Sequence, residues 1–163
     1  MFEIGFGVEV DPEFPAAGGD SPVRIPANLP TIRAVLRVTP RGGDAWDVAV
    51  GTAGWWRTPN PAAIAVISDG DGYVLDVIER RVLLRFPDVL RIREDELHDQ
   101  LLLTTATDLL AVGAEGVRWR SDAIGRADLK VEAVRHDRLV LSDYGVAAER
   151  REFSLDPLTG QVK

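Results

Sequence analysis

The sequence predicts an all-β protein, and three observations support this fold class. No window of eleven or more residues keeps the 3.6-residue period of an amphipathic helix. Short runs of β-branched and aromatic residues recur, and Gly, Pro and Asp separate them about every eight to twelve residues. Apolar and polar residues alternate in several runs, which is the pattern of a strand with one buried face. We therefore expect an antiparallel meander that forms a sandwich or a distorted barrel.

The predicted strands follow one another along the chain. The most apolar stretch, residues 101–121, is expected at the centre of the core, with Gly113 and Gly116 at a turn within it. Val117 and Trp119 then alternate with arginines, so both are expected to face the core. Other strands are predicted at residues 3–10, 31–39, 45–50, 62–67, 73–78, 81–86, 89–92, 100–105, 128–134, 138–141 and 149–155.

Turn-forming residues separate these strands. Residues 69–72, Asp-Gly-Asp-Gly, predict a hairpin loop in which glycine supplies a positive φ. Residues 156–160, Asp-Pro-Leu-Thr-Gly, predict a turn with proline at its second position.

Residues 11–30 contain five of the ten prolines and predict an irregular segment. Its apolar residues Phe14, Val23, Ile25 and Leu29 indicate an arm or loop that packs on the body of the protein.

An internal similarity links residues 48–56 with residues 110–118. In both segments a small apolar strand meets a Gly-x-x-Gly turn, which is followed by a strand that begins with a large apolar residue. One interpretation is that two related β units build the protein. The other is that β-meanders commonly reuse glycine turns.

Length and composition predict one domain over residues 1–163 in a reducing compartment. A chain of 163 residues is long enough to bury roughly two thirds of its surface. It contains no cysteine, so a disulfide framework and a thiolate zinc site are excluded. The start of the chain lacks the pattern of a signal peptide, and no apolar run reaches the length of a membrane span. These features predict a cytoplasmic protein with no membrane partner.

The net charge of −7 makes this an acidic protein and argues against nucleic acid as a partner, because phosphate backbones repel such a chain. Its arginines are interleaved with acids, which indicates surface ion pairs more than a phosphate-binding track.

Two resemblances concern the fold. Residues 155–160, Leu-Asp-Pro-Leu-Thr-Gly, resemble the turn between strands of bacterial β-propeller repeats. More broadly, the Gly-x-x-Gly-x-x-Trp-Arg-Ser run at residues 113–121, with Gly-Tyr-Val-Leu at residues 72–75 and the C-terminal turn, resembles a group of small uncharacterised bacterial β proteins. This resemblance implies an all-β domain and implies no catalytic residues.

The chain offers few candidates for a metal or cofactor site. The two aspartates of residues 69–72 suggest calcium, but EF-hand spacing would place further ligands at Tyr73 and Arg80, which cannot serve. His98 and His136 stand beside aspartates in polar segments and are expected at the surface. Nucleophile-elbow, Walker-type and dinucleotide-binding motifs are absent from the sequence. We therefore expect no cofactor and no metal.

Trp55 and Trp56 are the most informative pair. Neighbours in a strand point to opposite faces, so one indole is exposed unless both faces are covered. The internal similarity places Trp55 opposite Val117 and predicts that Trp55 and Trp119 are buried and Trp56 lies outside. Exposed tryptophan is enriched at interaction sites, and Trp56, Arg57 and Arg118 are the predicted partner-binding residues.

Two classes of function follow from the sequence. The first is a non-catalytic binding or protein-interaction module, whose partner is another protein or a second copy of the chain. The second is a small carboxylate-dependent hydrolase acting on a sugar or an ester, since carboxylates can meet in space without a sequence motif. The lack of a recognisable catalytic motif favours the first class, which is not an enzyme.

Overall fold

The structure, a computed structural model, describes residues 6–11, 22–52, 54–144 and 150–163. Within them it contains 15 strands and no helix, which confirms the all-β prediction. The strands are β1 Phe6–Asp11, β2 Val23–Arg24, β3 Ala34–Pro40, β4 Trp46–Val50, β5 Trp55–Arg57, β6 Ala63–Ser68, β7 Asp71–Asp76, β8 Arg81–Phe86, β9 Arg91–Asp95, β10 Gln100–Thr104, β11 Leu109–Gly113, β12 Gly116–Arg120, β13 Lys130–Val134, β14 Leu139–Tyr144 and β15 Arg150–Leu155.

The described strands form four sheets, none of them closed into a barrel. Their orders are β1-β3-β4-β2, β5-β6-β7-β8, β12-β11-β10-β9 and β13-β14-β15. All pairs are antiparallel except β2 with β4, so most of the chain is the predicted meander. The sheets belong to two compact units, an N-terminal unit with β1 to β8 and a C-terminal unit with β9 to β15. The prediction that the whole chain is one domain stays a prediction.

The core of the N-terminal unit lies between its two sheets. Leu36 and Val48 of the first sheet share one apolar cluster with Ile64 and Leu75 of the second. At the edge of this cluster the Trp46 Nε1–H donates to the carbonyl oxygen of Val77 at 3.0 Å. Burial of the apolar faces of two sheets against each other is the main source of stability in such a sandwich.

The C-terminal unit repeats this arrangement. Leu102 and Leu109 of one sheet and Leu141 of the other belong to a single buried cluster. Trp119 lies in the same cluster, as predicted, and its Nε1–H donates to the carbonyl oxygen of Pro157 at 2.9 Å.

Arginine side chains join the edges of the two C-terminal sheets. The Arg93 guanidinium on β9 donates to the carbonyl oxygen of Val131 on β13 at 2.8 Å, and Arg91 reaches the carbonyl oxygen of Leu129 at 3.3 Å. Unpaired edge carbonyls would otherwise need solvent or another strand. The sequence indicated surface ion pairs for the arginines, and Arg91 makes one with Asp128 at 2.6 Å.

A β-bulge overturns one expectation for β12. Val112 pairs with Val117 and Ala111 pairs with Trp119, so Arg118 has no opposite residue. A bulge interrupts the alternation of side chains. Val117 is therefore 49% exposed, although its spacing from the buried Trp119 predicted that it would face the core.

The internal similarity does not extend to the topology. β11 and β12 pair directly through Gly113 and Gly116, whereas β4 and β5 belong to different sheets. The same glycine spacing thus serves a tight hairpin in one unit and a crossing between sheets in the other.

Three hairpins share another local structure. Each begins with an aspartate whose Oδ1 accepts a backbone N–H two or three residues on, and its fifth residue has a positive φ. The aspartates are Asp76, Asp95 and Asp156, and the fifth residues are Arg80, Asp99 and Gly160. The predicted turn at residues 156–160 is thus confirmed and has two counterparts with different sequences.

Residues 12–21 of the proline-rich segment, with Phe14, lie outside the described residues. Residues 3–5 of the first predicted strand lie outside them too. In the described part Ile25 and Leu29 are buried, as predicted, while Val23 is exposed and pairs with Val48.

Candidate interaction surface

Asp95 and His98 form the pair that most resembles a catalytic dyad, and their side chains are buried. The His98 Nδ1 lies 2.8 Å from Asp95 Oδ2, and the side chains are 7% and 0% exposed. The prediction that His98 lies at the surface is therefore wrong. Its partner is also not the adjacent Asp99, because the β9–β10 turn brings residue 95 next to residue 98.

Further hydrogen bonds give this pair a structural role. The His98 Nε2 lies 3.1 Å from the carbonyl oxygen of His136, so no ring nitrogen is left for a substrate. The Gln100 amide donates to Asp95 Oδ2 at 2.8 Å and to the carbonyl oxygen of Pro157 at 3.1 Å. Gln100 Oε1 is buried without a partner among the described residues. The network ties three turns of the C-terminal unit together.

Asp108 is held by its neighbours in the same way. Its carboxylate accepts hydrogen bonds from the hydroxyls of Thr105 at 2.5 Å and Thr107 at 2.8 Å, and from the Arg120 Nε–H at 2.6 Å. Burial alone would raise the pKa of Asp108, but these donors lower it below its ordinary value. The group stays ionised and paired.

Asp143 on β14 is fully buried and fixes a loop. Its carboxylate accepts backbone N–H groups from Arg126 at 3.0 Å, Ala127 at 3.4 Å and Asp128 at 3.5 Å. Burial would raise the pKa of Asp143, and the three amides lower it.

The aspartates of residues 69–72 form a hairpin turn, as predicted. Asp69 and Gly70 both have positive φ, which is typical of a type I′ turn. Asp71 Oδ2 accepts from Arg85 Nε at 2.8 Å. Within the part of the chain that the structure describes, no group of three or more acidic or histidine side chains is placed to hold a metal ion.

Two open pockets of about 410 and 400 Å³ lie on the C-terminal unit. The first surrounds the β11–β12 hairpin at Gly113 and Arg118, and the second lies between Ser121 and Thr159. Neither is lined by the buried carboxylates described above.

The predicted partner-binding residues fall in different units. Trp56 and Arg57 lie on β5 in the N-terminal unit, and Arg118 lies on β12 in the C-terminal unit. The Arg118 guanidinium donates to the carbonyl oxygen of His98 at 2.5 Å and lies 3.8 Å from Asp99 Oδ2. Arg118 thus has an internal role, and contact of these three residues with a partner stays a prediction.

Trp55 and Trp56 point to opposite faces of their sheet, and both are half-buried. Trp55 packs on the apolar cluster of its unit, as predicted. Trp56 lies over Gly54, and its paired residue Ala65 is fully buried. The predicted difference in exposure between the two indoles is therefore not seen.

Neighbouring exposed apolar residues lie on and beside β8. Val82 and Leu83 are 41% and 37% exposed, and Ile78 in the preceding turn is 63% exposed. β8 is the last strand of its sheet, and a bulge at Leu83 interrupts its pairing with β7. We name this surface, Ile78 and residues 81–85, the β8 edge. Sequence alternation could not identify it, because residues 81–86 show the same pattern as an internal strand.

The chain matches no protein-family model and no curated protein sequence. None of the described residues forms a helix long and apolar enough to cross a membrane.

Proposed function

We propose that the protein is a non-catalytic interaction module that binds a protein partner. The observation that supports this most is the β8 edge, where apolar side chains are exposed on an edge strand. Contiguous exposed apolar patches, when they are large, mark interaction sites on protein surfaces. Trp56, Arg57 and Arg118 remain proposed contacts outside the β8 edge.

The state of the carboxyl groups supports this role over a carboxylate-dependent hydrolase. A general acid for glycoside or ester cleavage needs a raised pKa so that it keeps its proton near neutral pH. Among the residues that the structure describes, five carboxyl groups have a displaced pKa, and each is displaced downwards: Asp108, Glu132, Asp137, Asp143 and Asp156. The buried ones are saturated by protein donors, which favours a structural role for them.

The proposal includes a location. An acidic chain without cysteine is suited to a reducing cytoplasm, and the resemblance noted above suggests a bacterial one.

A photo-crosslinking amino acid at Leu83 tests the function in cells of the source organism. The control carries the same amino acid at Leu158, which is 70% exposed in the C-terminal unit. We expect one discrete protein adduct from position 83 and none from position 158, and loss of that adduct when Val82→Lys is added. The captured protein, once purified, should bind the wild-type chain in calorimetry and not Leu83→Lys. Failure to form an adduct at position 83, or the same adducts from both positions, would overturn the proposal.

A further inference from the structure

The backbone of β8 is open to an added strand. β8 pairs with β7 on one side, and within the described ranges no strand pairs with its other side. An edge strand presents unpaired N–H and C=O groups, which can hydrogen-bond an extended segment of another protein. The geometry of the edge therefore favours a partner that binds in an extended conformation.

The bulge determines which side chains that segment would meet. Leu84 pairs with Val74 and Val82 pairs with Leu75, so Leu83 is the extra residue on β8. A bulge disrupts the regular ladder at the extra residue, and Val82 and Leu83 are both exposed. A complementary segment would supply apolar side chains at this point.

The charge of the β8 edge indicates which apolar segments of a partner could bind there. Residues 80–86 contain three arginines and no acid, in a chain whose net charge is −7. Arg80 lies over the Trp46 ring at 6.0 Å, whereas Arg81 is exposed and Arg85 is 64% exposed in its side chain despite its bond to Asp71. Arg81 on one side of Val82 and Leu83 and Arg85, ion-paired with Asp71, on the other thus carry the arginine side chains of the edge.

This charge distinguishes a foreign partner from a second copy of the chain. Pairing of two β8 edges would bring Arg81 and Arg85 of both copies into one ribbon, and like charges across strands are destabilising. Edge charges and bulges are common means of preventing such self-association. An acidic segment would instead place an opposite charge beside the exposed Arg81.

We propose that the partner binds β8 through an extended segment that combines acidic and apolar residues. This inference rests on the proposed function and specifies the chemistry of the partner at the same surface.

Two synthetic eight-residue peptides test it, one with alternating Glu and Val and one with alternating Lys and Val. Each is titrated into the full-length ¹⁵N-labelled protein and followed by NMR. We expect the Glu peptide to shift the amide signals of residues 81–86 and to bind about tenfold more tightly than the Lys peptide, since exposed ion pairs add modest free energies. Arg81→Glu should reverse this preference. The control Arg41→Glu, at an exposed turn of the same unit, should leave it unchanged.

The outcomes separate the two proposals. Equal binding of both peptides, or no shift at residues 81–86, overturns the acidic-segment inference while the crosslink at Leu83 still decides the proposed function. A wild-type dimer in light scattering that Leu83→Lys abolishes would overturn the inference in favour of self-association.

Discussion

Asp143 accepts a hydrogen bond from the backbone N–H of Arg126 at 3.0 Å, and so a strand residue holds a loop in place through its side chain. The next two amides of that loop also point at the carboxylate. Three backbone donors are satisfied by one buried anion, so the loop conformation depends on that charge.

Asp143→Asn should lower the free energy of unfolding by about 1–3 kcal/mol, since it leaves buried donors without a full acceptor. Urea unfolding measures this change, and hydrogen exchange should become faster at the amides of residues 126–128. The control Asp137→Asn removes a largely exposed carboxylate and should cost under about 0.5 kcal/mol. Equal effects of the two variants would contradict the anchoring role.

Stability should fall in acid. The pKa values of Asp108 and Asp143 lie below their ordinary value of 3.8 in the folded protein, and unfolding restores the ordinary value. Each group therefore stabilises the fold fully above about pH 5, and this contribution is lost as the pH falls through 3.8 towards the folded pKa. Urea midpoints from pH 6 to pH 3 measure the loss, and the decline should be shallower in Asp143→Asn. An identical decline in that variant would show that Asp143 does not contribute.

Two glycines with positive φ form a matched pair for substitution by alanine. Gly160 has a φ of +70°, and a Cβ there would overlap the indole of Trp119. Gly70 has a φ of +81° and no atom within 4 Å of that position. Gly70→Ala should cost about 1–2 kcal/mol from the left-handed backbone alone. Gly160→Ala should cost clearly more because the indole must also move, and thermal melts that rank the two in the opposite order would refute this packing.

The free energy of unfolding lost on replacing a tryptophan by alanine should depend on how deeply that tryptophan is buried. Trp119→Ala should cost about 3–5 kcal/mol through lost burial and a residual cavity. Trp55→Ala and Trp56→Ala should cost similar amounts to each other and less than Trp119→Ala, because both indoles are half-buried. Denaturant melts decide the order. If Trp56→Ala left the free energy of unfolding unchanged while Trp55→Ala lowered it, Trp56 would be an outward-facing residue, as the sequence predicted.

The strands and turns could be predicted because their signals are local. The alternation in residues 31–39 and the hairpin loop predicted at residues 69–72 depend only on neighbouring residues. The structure has a strand at Ala34–Pro40, with Leu36 and Val38 buried, and a turn at residues 69–70. Val117 was misplaced because a bulge depends on the partner strand, which the alternation of one strand does not contain.

The candidate surface could not be predicted for a related reason. Whether Val82 is buried depends on whether a further strand lies beside β8, and the sequence of β8 is the same in either case. The pairing of His98 with Asp95 was also missed, because the shared hairpin turn that produces it has a different sequence in each of its three occurrences.

The connectivity of the sheets also implies an order of events in folding. In three sheets the neighbouring strands are consecutive in the chain, so their contacts join residues close in sequence and close short loops. The first sheet differs, because the parallel pairing of Val23 with Val48 requires the chain to cross over before the strands meet. Its amides should be the last to gain protection when refolding is followed by pulsed hydrogen exchange. Until then β4 would lack its neighbour on one side, and the N-terminal unit would be the part of the chain most exposed to aggregation.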